Sequence, residues 1–335
     1  MRAAVLHGKE SVRIEELEDR PLAVGEVRLS IGVALTCGTD LKVYRRGYHA
    51  RMIVPPSVFG HELAGTIIEI GDAVPVWKVG DRVVVANSAP CDRCFFCGQG
   101  QQNLCDDLLF LNGAYAERII VPKRIVSKNM MILRASTEFA DAALTEPLAC
   151  VVQGASDLKL KRGERVLVIG SGPIGLMFTA LAREAGCLVT MAGRGAERLA
   201  AAKRLGAMSV VDVSGGVAIE GTYDVVFEAV GRPEVWEQAI KAVRKGGRVN
   251  LFGGCPAGTT ITLDTALMHY SNLTLLASFH HTPATIRQAL GLIERGVIGA
   301  KDFVDGRCTL TELPALLKSM ALGNRAVKTL VDVHR

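Results

Sequence analysis

The spacing of apolar positions changes character near residue 147. Before it, short runs such as Val27–Val33, Leu63–Ile70, Arg82–Ala86 and Tyr115–Val121 are separated by Gly, Pro and polar turns. β-type runs of this length predict strands, and their irregular spacing predicts an all-β domain. After it, apolar strands alternate with helices: strand Arg165–Gly170, helix Pro173–Ala185, strand Leu188–Ala192, helix Ala196–Leu205. The alternation continues through Tyr223–Ala229, Pro233–Val243, Gly247–Phe252 and Leu273–Ser278. Repeated β-α units of that length predict a parallel sheet covered by helices on both faces. From about Phe279 onward come two amphipathic helices, Pro283–Arg295 and Thr311–Leu322, and a strand, Lys328–Val333.

Length agrees with this division, because 335 residues exceed what one hydrophobic core holds and predict two domains. The net charge of +5 is small, and the Lys and Arg residues are dispersed, which argues against a nucleic-acid partner. The opening MRAAVLHGKESVRIEE breaks into charge before an apolar run of signal length, and no stretch reaches the 18 or so apolar residues of a spanning helix. A cytoplasmic protein with reduced thiols is therefore expected.

Nine cysteines sharpen the picture. Four of them, Cys91, Cys94, Cys97 and Cys105, fall in one short loop with the two-residue gaps that aim neighbouring sulfurs at one centre. A zinc ion takes four thiolates in a tetrahedron at about 2.3 Å, leaving no open position, so this spacing predicts a structural zinc site. Disulfides are the competing reading. Cys150, Cys187, Cys255 and Cys308 read as small buried hydrophobes.

At the start of the α/β part stands Val168-Ile-Gly170-Ser-Gly172-Pro173-Ile174-Gly175-Leu, directly after a strand and before a helix. In a dinucleotide-binding turn, Gly170 permits the bend, Gly172 lets backbone N–H groups approach a pyrophosphate, and Gly175 lets helix and strand pack closely. The helix N-terminus adds partial positive charge. An NAD-specific site would end the next strand in a carboxylate, but Gly193-Arg194-Gly195 stands there and Glu197 comes later. A guanidinium suits a 2′-phosphate, so NADP is expected in preference to NAD. The alternative is that Arg194 is a solvated loop residue and both cofactors bind. Glu228-Ala-Val230-Gly231 and Phe252-Gly253-Gly254 lie at carboxyl ends of predicted strands and either line the cofactor cleft or are ordinary turns.

Three fragments of the chain offer an open metal site: Cys37-Gly-Thr39-Asp40, Gly60-His61-Glu62 and Glu146-Pro147. One thiolate, one imidazole and one or two carboxylates hold zinc while leaving a position for a substrate oxygen. His280-His281 is not expected to be a metal pair, because adjacent residues point in different directions.

Taken together with Gly113-Ala-Tyr-Ala-Glu117 and Glu146-Pro147-Leu148, these motifs resemble the zinc-dependent alcohol dehydrogenases of the medium-chain dehydrogenase/reductase family over nearly the whole chain. The Glu146-Pro147 region resembles the sorbitol, threonine and sugar-phosphate branch. The resemblance implies an α/β two-domain fold: a GroES-like β-barrel catalytic domain (1–147 and 280–335) with a zinc lobe (about 88–106), and a Rossmann domain (148–279). It implies two zinc ions per subunit, a catalytic one on Cys37, His61, Glu62 and Glu146, and a structural one on the four cysteines. Either carboxylate could be inner-shell. It implies that Thr39 passes the alcohol proton outward, that a hydride moves between a secondary alcohol and the nicotinamide, and that the protein is a tetramer or dimer. Threonine dehydrogenases carry His where this chain has Lys42, which puts polyols or sugar-like alcohols ahead of L-threonine. Asp40 and Tyr44 are expected near the pocket mouth, and Lys42 at a cofactor phosphate or facing solvent. Zinc-free quinone or enone reductases and a non-catalytic cofactor-binding protein are the alternatives.

Overall fold

A computed structural model describes residues 1–49, 51–219, 221–323 and 326–335. The chain divides into two compact units, residues 1–147 with 281–335, and residues 148–280.

The first unit begins with a hairpin, Arg2–Gly8 (β1) and Ser11–Glu16 (β2), followed by Val27–Leu35 (β3), Gly38–Arg46 (α1), Ser57–Val58 (β4) and Glu62–Ile70 (β5). Arg82–Val85 (β6), Ser88–Ala89 (β7), Phe95–Gly98 (α2), Leu109–Phe110 (β8) and Arg118–Val121 (β9) come next. Lys123–Lys128 (α3), Met130–Ile132 (β10), Phe139–Ala142 (α4) and the start of Thr145–Leu158 (α5) close this stretch. Strand β9 is shorter than the run Tyr115–Val121 predicts. Tyr115 instead exchanges backbone hydrogen bonds with Ala4 and Phe59, so its backbone leaves the ladder before β9 begins.

In the second unit a βα alternation runs through Arg165–Ile169 (β11), Pro173–Glu184 (α6), Leu188–Gly193 (β12), Ala196–Arg204 (α7), Ser209–Asp212 (β13) and Tyr223–Glu228 (β14). It continues with Pro233–Ala242 (α8), Val243–Leu251 (β15), Thr265–Tyr270 (α9) and Thr274–Leu276 (β16). The strand order is β13-β12-β11-β14-β15-β16, with every pair parallel. This is the doubly wound order, and its switch point lies between β11 and β14. Strands β11, β12 and β14 are almost wholly buried, as sheets covered on both faces require.

The chain then returns to the first unit with Pro283–Glu294 (α10), Val304–Thr309 (β17), Leu313–Ala321 (α11) and Lys328–Asp332 (β18). Strand β18 pairs with β3, which also pairs with β5, in the order β10-β6-β5-β3-β18-β17, while β9 joins β3. The register sets Leu35 opposite both Leu330 and Glu62. A strand near residue 330 is thereby brought to residues 35–62, and this places one side of the site described next.

Candidate metal and cofactor sites

The segment Cys37–Asp40 is the first turn of a helix rather than a free turn. Cys37 is the N-cap of α1: its sulfur accepts from the Thr39 N–H at 3.4 Å, and Asp40 Oδ2 accepts from the Cys37 N–H at 2.9 Å. This reciprocal capping satisfies helix donors that would otherwise be orphaned. Asp40 is 1% exposed, so the expectation that it shapes a pocket mouth is overturned. Its buried charge needs partners, and it finds them in the Cys37 N–H, the Tyr115 hydroxyl, which donates at 2.5 Å, and His61 Nδ1 at 3.0 Å. Tyr44 is likewise buried, in the first unit's core. Lys42 is exposed.

His61 owes its position to the residue before it. Gly60 has φ +87, and a Cβ there would lie 2.6 Å from the Tyr115 ring, so only glycine lets the chain turn against that tyrosine into β5. With Nδ1 held by Asp40, the imidazole has Nε2 left for a metal, the arrangement that orients metal-ligating histidines. Burial alone would lower the His61 pKa, but charge interactions and hydrogen bonds with Asp40 and Cys37 outweigh it and hold it well above the usual imidazole value.

Ligand atoms of Cys37, His61 and Glu62 all lie within 4.8 Å of one another. Glu62 is fully buried, and its carboxylate is gripped by Lys328, whose Nζ donates to its two oxygens at 2.7 and 2.5 Å and to the Thr36 carbonyl at 3.1 Å. Burial disfavours the Lys328 ammonium, yet Glu62 and Cys37 more than offset this and its pKa is raised. Glu146, in the first turn of α5, stands outside that trio but close by. Burial pushes its pKa to about 7, with His61 and Lys328 opposing and Glu62 and Asp40 reinforcing the rise. His281 Nε2 lies 3.8 Å from Glu146 and 3.0 Å from Asn87 Oδ1, and both His281 and Asn87 are buried. Sequence reasoning missed Lys328, Tyr115, Asn87 and His281 as parts of this cluster. Only Lys328 left a signal, a lysine opening a strand whose middle, Leu330-Val331, is apolar.

The second candidate metal site is local. Sulfurs of Cys91, Cys94, Cys97 and Cys105 lie within 4.8 Å of one another, and Cys94 Sγ is 3.9 Å from Cys105 Sγ. Zinc–sulfur bonds of about 2.3 Å set the corners of a tetrahedron about 3.8 Å apart, whereas a disulfide needs about 2.05 Å, so the spacing fits a metal and not a bridge. Backbone N–H groups already point at the sulfurs, Cys91 N to Cys105 at 3.2 Å and Arg93 N to Cys91 at 3.5 Å. The four thiols do not ionise together without a cation. The Arg93 N–H chiefly lowers Cys91 to about 6, while burial pushes Cys97 up to about 12.

In the second unit Gly170 has φ +116, Gly172 is the N-cap of α6 with Pro173 and Ile174 in the first turn, and a Cβ at Gly175 would lie 1.7 Å from the Gly170 carbonyl. Each glycine is thus sterically enforced or sits at the helix N-terminus. Ser171 locks the next loop: its hydroxyl donates to the Arg194 carbonyl at 2.7 Å and accepts from the Arg194 N–H at 3.0 Å. A Cβ at Gly193 would lie 2.4 Å from Ser171 Cβ. Arg194 is exposed, and the Arg198 side chain passes Gly195, adding a second guanidinium that sequence reasoning missed. Gly231 and Gly253 pack backbone against backbone, where a Cβ on either would clash. Val230 is 40% exposed beside them, while the Phe252 ring packs edge-on against Phe178 at 5.0 Å.

Comparison with known proteins agrees with this assembly. Residues 23–131 match the alcohol dehydrogenase GroES-like domain, and residues 173–295 match the zinc-binding dehydrogenase domain. Over 80% of this chain and 79% of the relative, the sequence is 31% identical to L-threonine 3-dehydrogenase of Pyrococcus furiosus. The chain is a zinc-binding alcohol dehydrogenase of the medium-chain family. Sorbitol dehydrogenase of Bacillus subtilis is 29% identical to this dehydrogenase over all of the chain and 98% of the relative. A zinc-binding dehydrogenase of Sinorhizobium meliloti 1021, solved bound to NADP, superimposes with a TM-score of 0.91 at 29% identity, covering 99% of this chain and 98% of that one. The GroES-like and Rossmann-type parts expected of the two-domain fold are both present, and this dehydrogenase acts on CH–OH groups. Among the described residues no helix is long and apolar enough to cross a membrane.

Proposed function

We propose that this chain oxidises a polyol or sugar-like secondary alcohol to a ketone, and reduces the ketone in reverse, with NADP preferred over NAD. The observation that carries the reading is the trio of half-buried Cys37 with buried His61 and Glu62, ordered by Asp40 and backed by Glu146. Thiolate, imidazole and carboxylate together are a donor set suited to zinc. Cys37, His61 through Nε2, and Glu62 would hold the metal, with Glu146 as the fourth group. Lys328 shares the charge of Glu62 and so would weaken its claim on the cation, which makes Glu62 the more easily released of the two carboxylates. A zinc ion there supplies Lewis acidity toward a substrate oxygen. Thr39, half-buried in the first turn of α1, carries the alcohol proton outward. The four-cysteine lobe holds the second zinc and takes no part in the chemistry.

For the cofactor, the α6 N-terminus with Gly170, Gly172 and Gly175 receives the pyrophosphate, Arg194 meets the 2′-phosphate, and Val230, Gly231, Phe252 and Gly253 flank the remainder. The NADP-bound relative supports this preference. The sorbitol relative supports a polyol, and Lys42 continues to weigh against L-threonine. A zinc-free reductase is disfavoured by the intact ligand trio, and so is a non-catalytic module. The protein is proposed to be a cytoplasmic homodimer or homotetramer, the reducing compartment suiting four cysteines that form no disulfide. The test is a spectrophotometric screen of polyols, sugar phosphates, amino-alcohols and simple secondary alcohols with both cofactors. The expected result is activity on polyols with a lower KM for NADP. Equal or reversed KM values would sink the cofactor assignment, and activity on L-threonine alone would sink the substrate class.

A further inference from the structure

Strand register sets an acidic residue beside the arginine assigned to the 2′-phosphate. Strands β12 and β13 run parallel with Gly193 opposite Asp212, and the Val213 N–H donates to the Gly193 carbonyl at 3.0 Å. Asp212 therefore ends its strand next to the Gly193–Arg194 step, at the carboxyl edge of the sheet, where dinucleotides bind. Adjacent strands lie about 4.8 Å apart, inside the screening length of about 8 Å at physiological salt. The carboxylate is exposed but pinned, since Oδ1 accepts from the Ser214 N–H at 2.9 Å and from the Ser214 hydroxyl at 2.5 Å. Those bonds, with a smaller contribution from the Arg194 charge, hold its pKa below the usual carboxylate value, so it stays ionised at neutral pH.

A carboxylate bonded to a guanidinium would orient it toward a phosphate. Asp212 directs its acceptor oxygen at Ser214 instead, so its charge reaches Arg194 through space and offsets part of the attraction felt by an incoming dianion. The NAD ribose carries no phosphate and escapes this repulsion. The first turn of α7, which follows Gly195, carries charges of both signs, Glu197 and Arg198, so Asp212 bears on the balance. We propose that Asp212 is a specificity-determining residue that selectively weakens NADP binding and keeps the preference set by Arg194 modest, leaving NAD usable. This rests on the reading that Arg194 receives the 2′-phosphate.

The experiment measures dissociation constants of NADPH and NADH by nicotinamide fluorescence for the wild type, Asp212→Asn and Arg194→Ala, at low and high salt. Asparagine keeps an acceptor for Ser214, so the loop is spared. Asp212→Asn is expected to tighten NADPH about three- to ten-fold, leave NADH within about two-fold, and lose most of its gain in high salt. NADPH affinity unchanged or weakened in Asp212→Asn, while Arg194→Ala weakens NADPH selectively, would overturn the inference alone. An unaltered NADPH-to-NADH ratio in Arg194→Ala would overturn the phosphate assignment beneath it.

Discussion

The four-cysteine lobe takes its donors from residues 91–105, whereas the Cys37 cluster gathers Cys37, Asp40, His61, Glu62, Tyr115, Glu146, His281 and Lys328 from across the first unit. In the lobe, backbone N–H groups reach the sulfurs directly, and all four donors are of one soft kind, the set that suits a tetrahedral zinc ion. In the cluster the donors are of three kinds, and two of them are held by side chains outside the proposed ligand set: Asp40 for His61, Lys328 for Glu62. The difference teaches that a metal site serving as a staple can be built from local turns, while one that must exchange ligands needs supports drawn from distant strands.

The largest expected effect breaks the comparison at the open site. Cys37→Ser should lower kcat/KM by about a thousand-fold or more while the far-UV spectrum and melting temperature stay near those of the wild type, because removing a ligand abolishes the Lewis acid. His61→Ala should lose as much activity and also melt lower, since it strips buried Asp40 of a partner. Next in size, Cys94→Ser should cost about 3 kcal/mol or more of stability, visible as a lowered melting temperature or loss of assembly, since structural zinc binding is folding free energy. A Cys94 variant that stayed folded yet lost only catalysis would mean the two sites had been divided wrongly. Asp40→Asn should weaken metal retention at the open site about 10- to 100-fold against a chelator, with the lobe's zinc unaffected.

The smallest effect is a pH dependence whose sign differs between metal-free and loaded protein. In the metal-free chain the Glu146 pKa is raised from 4.5 to about 7, and that of His61 is raised too. A group with a raised folded-state pKa stabilises below its unfolded value and loses that contribution as pH climbs through the folded one. Metal-free protein should therefore lose stability as pH rises from about 4.5 through 7. Zinc binding displaces those same protons, so metal affinity should rise over the same range. Calorimetric melts with and without zinc would check both signs, and parallel trends would contradict the assignment of Glu146.

How much of this was legible in the chain follows from the same contrast. The four cysteines, the glycine turn and the Gly60-His61-Glu62 triplet are local, and each glycine there answers to a positive φ, a close approach or a helix N-terminus. The βα alternation was legible because period and length differ plainly from the β region before it. Asp40 was visible but its direction was not, because only the fold reveals that the first turn of α1 faces inward. Lys328 and Glu62 are separated by 266 residues and meet only because β3 pairs with both β5 and β18. Tyr115 was expected inside a strand, and its hydroxyl serves Asp40 because its backbone leaves the ladder to bond Ala4 and Phe59.

Zinc content per chain in the wild type and in Cys37→Ser, measured by mass spectrometry after desalting, tests the division of labour most directly. The variant should lose one equivalent, keep the other, remain folded and be catalytically inert. Loss of both equivalents, or retention of both with activity intact, would contradict it.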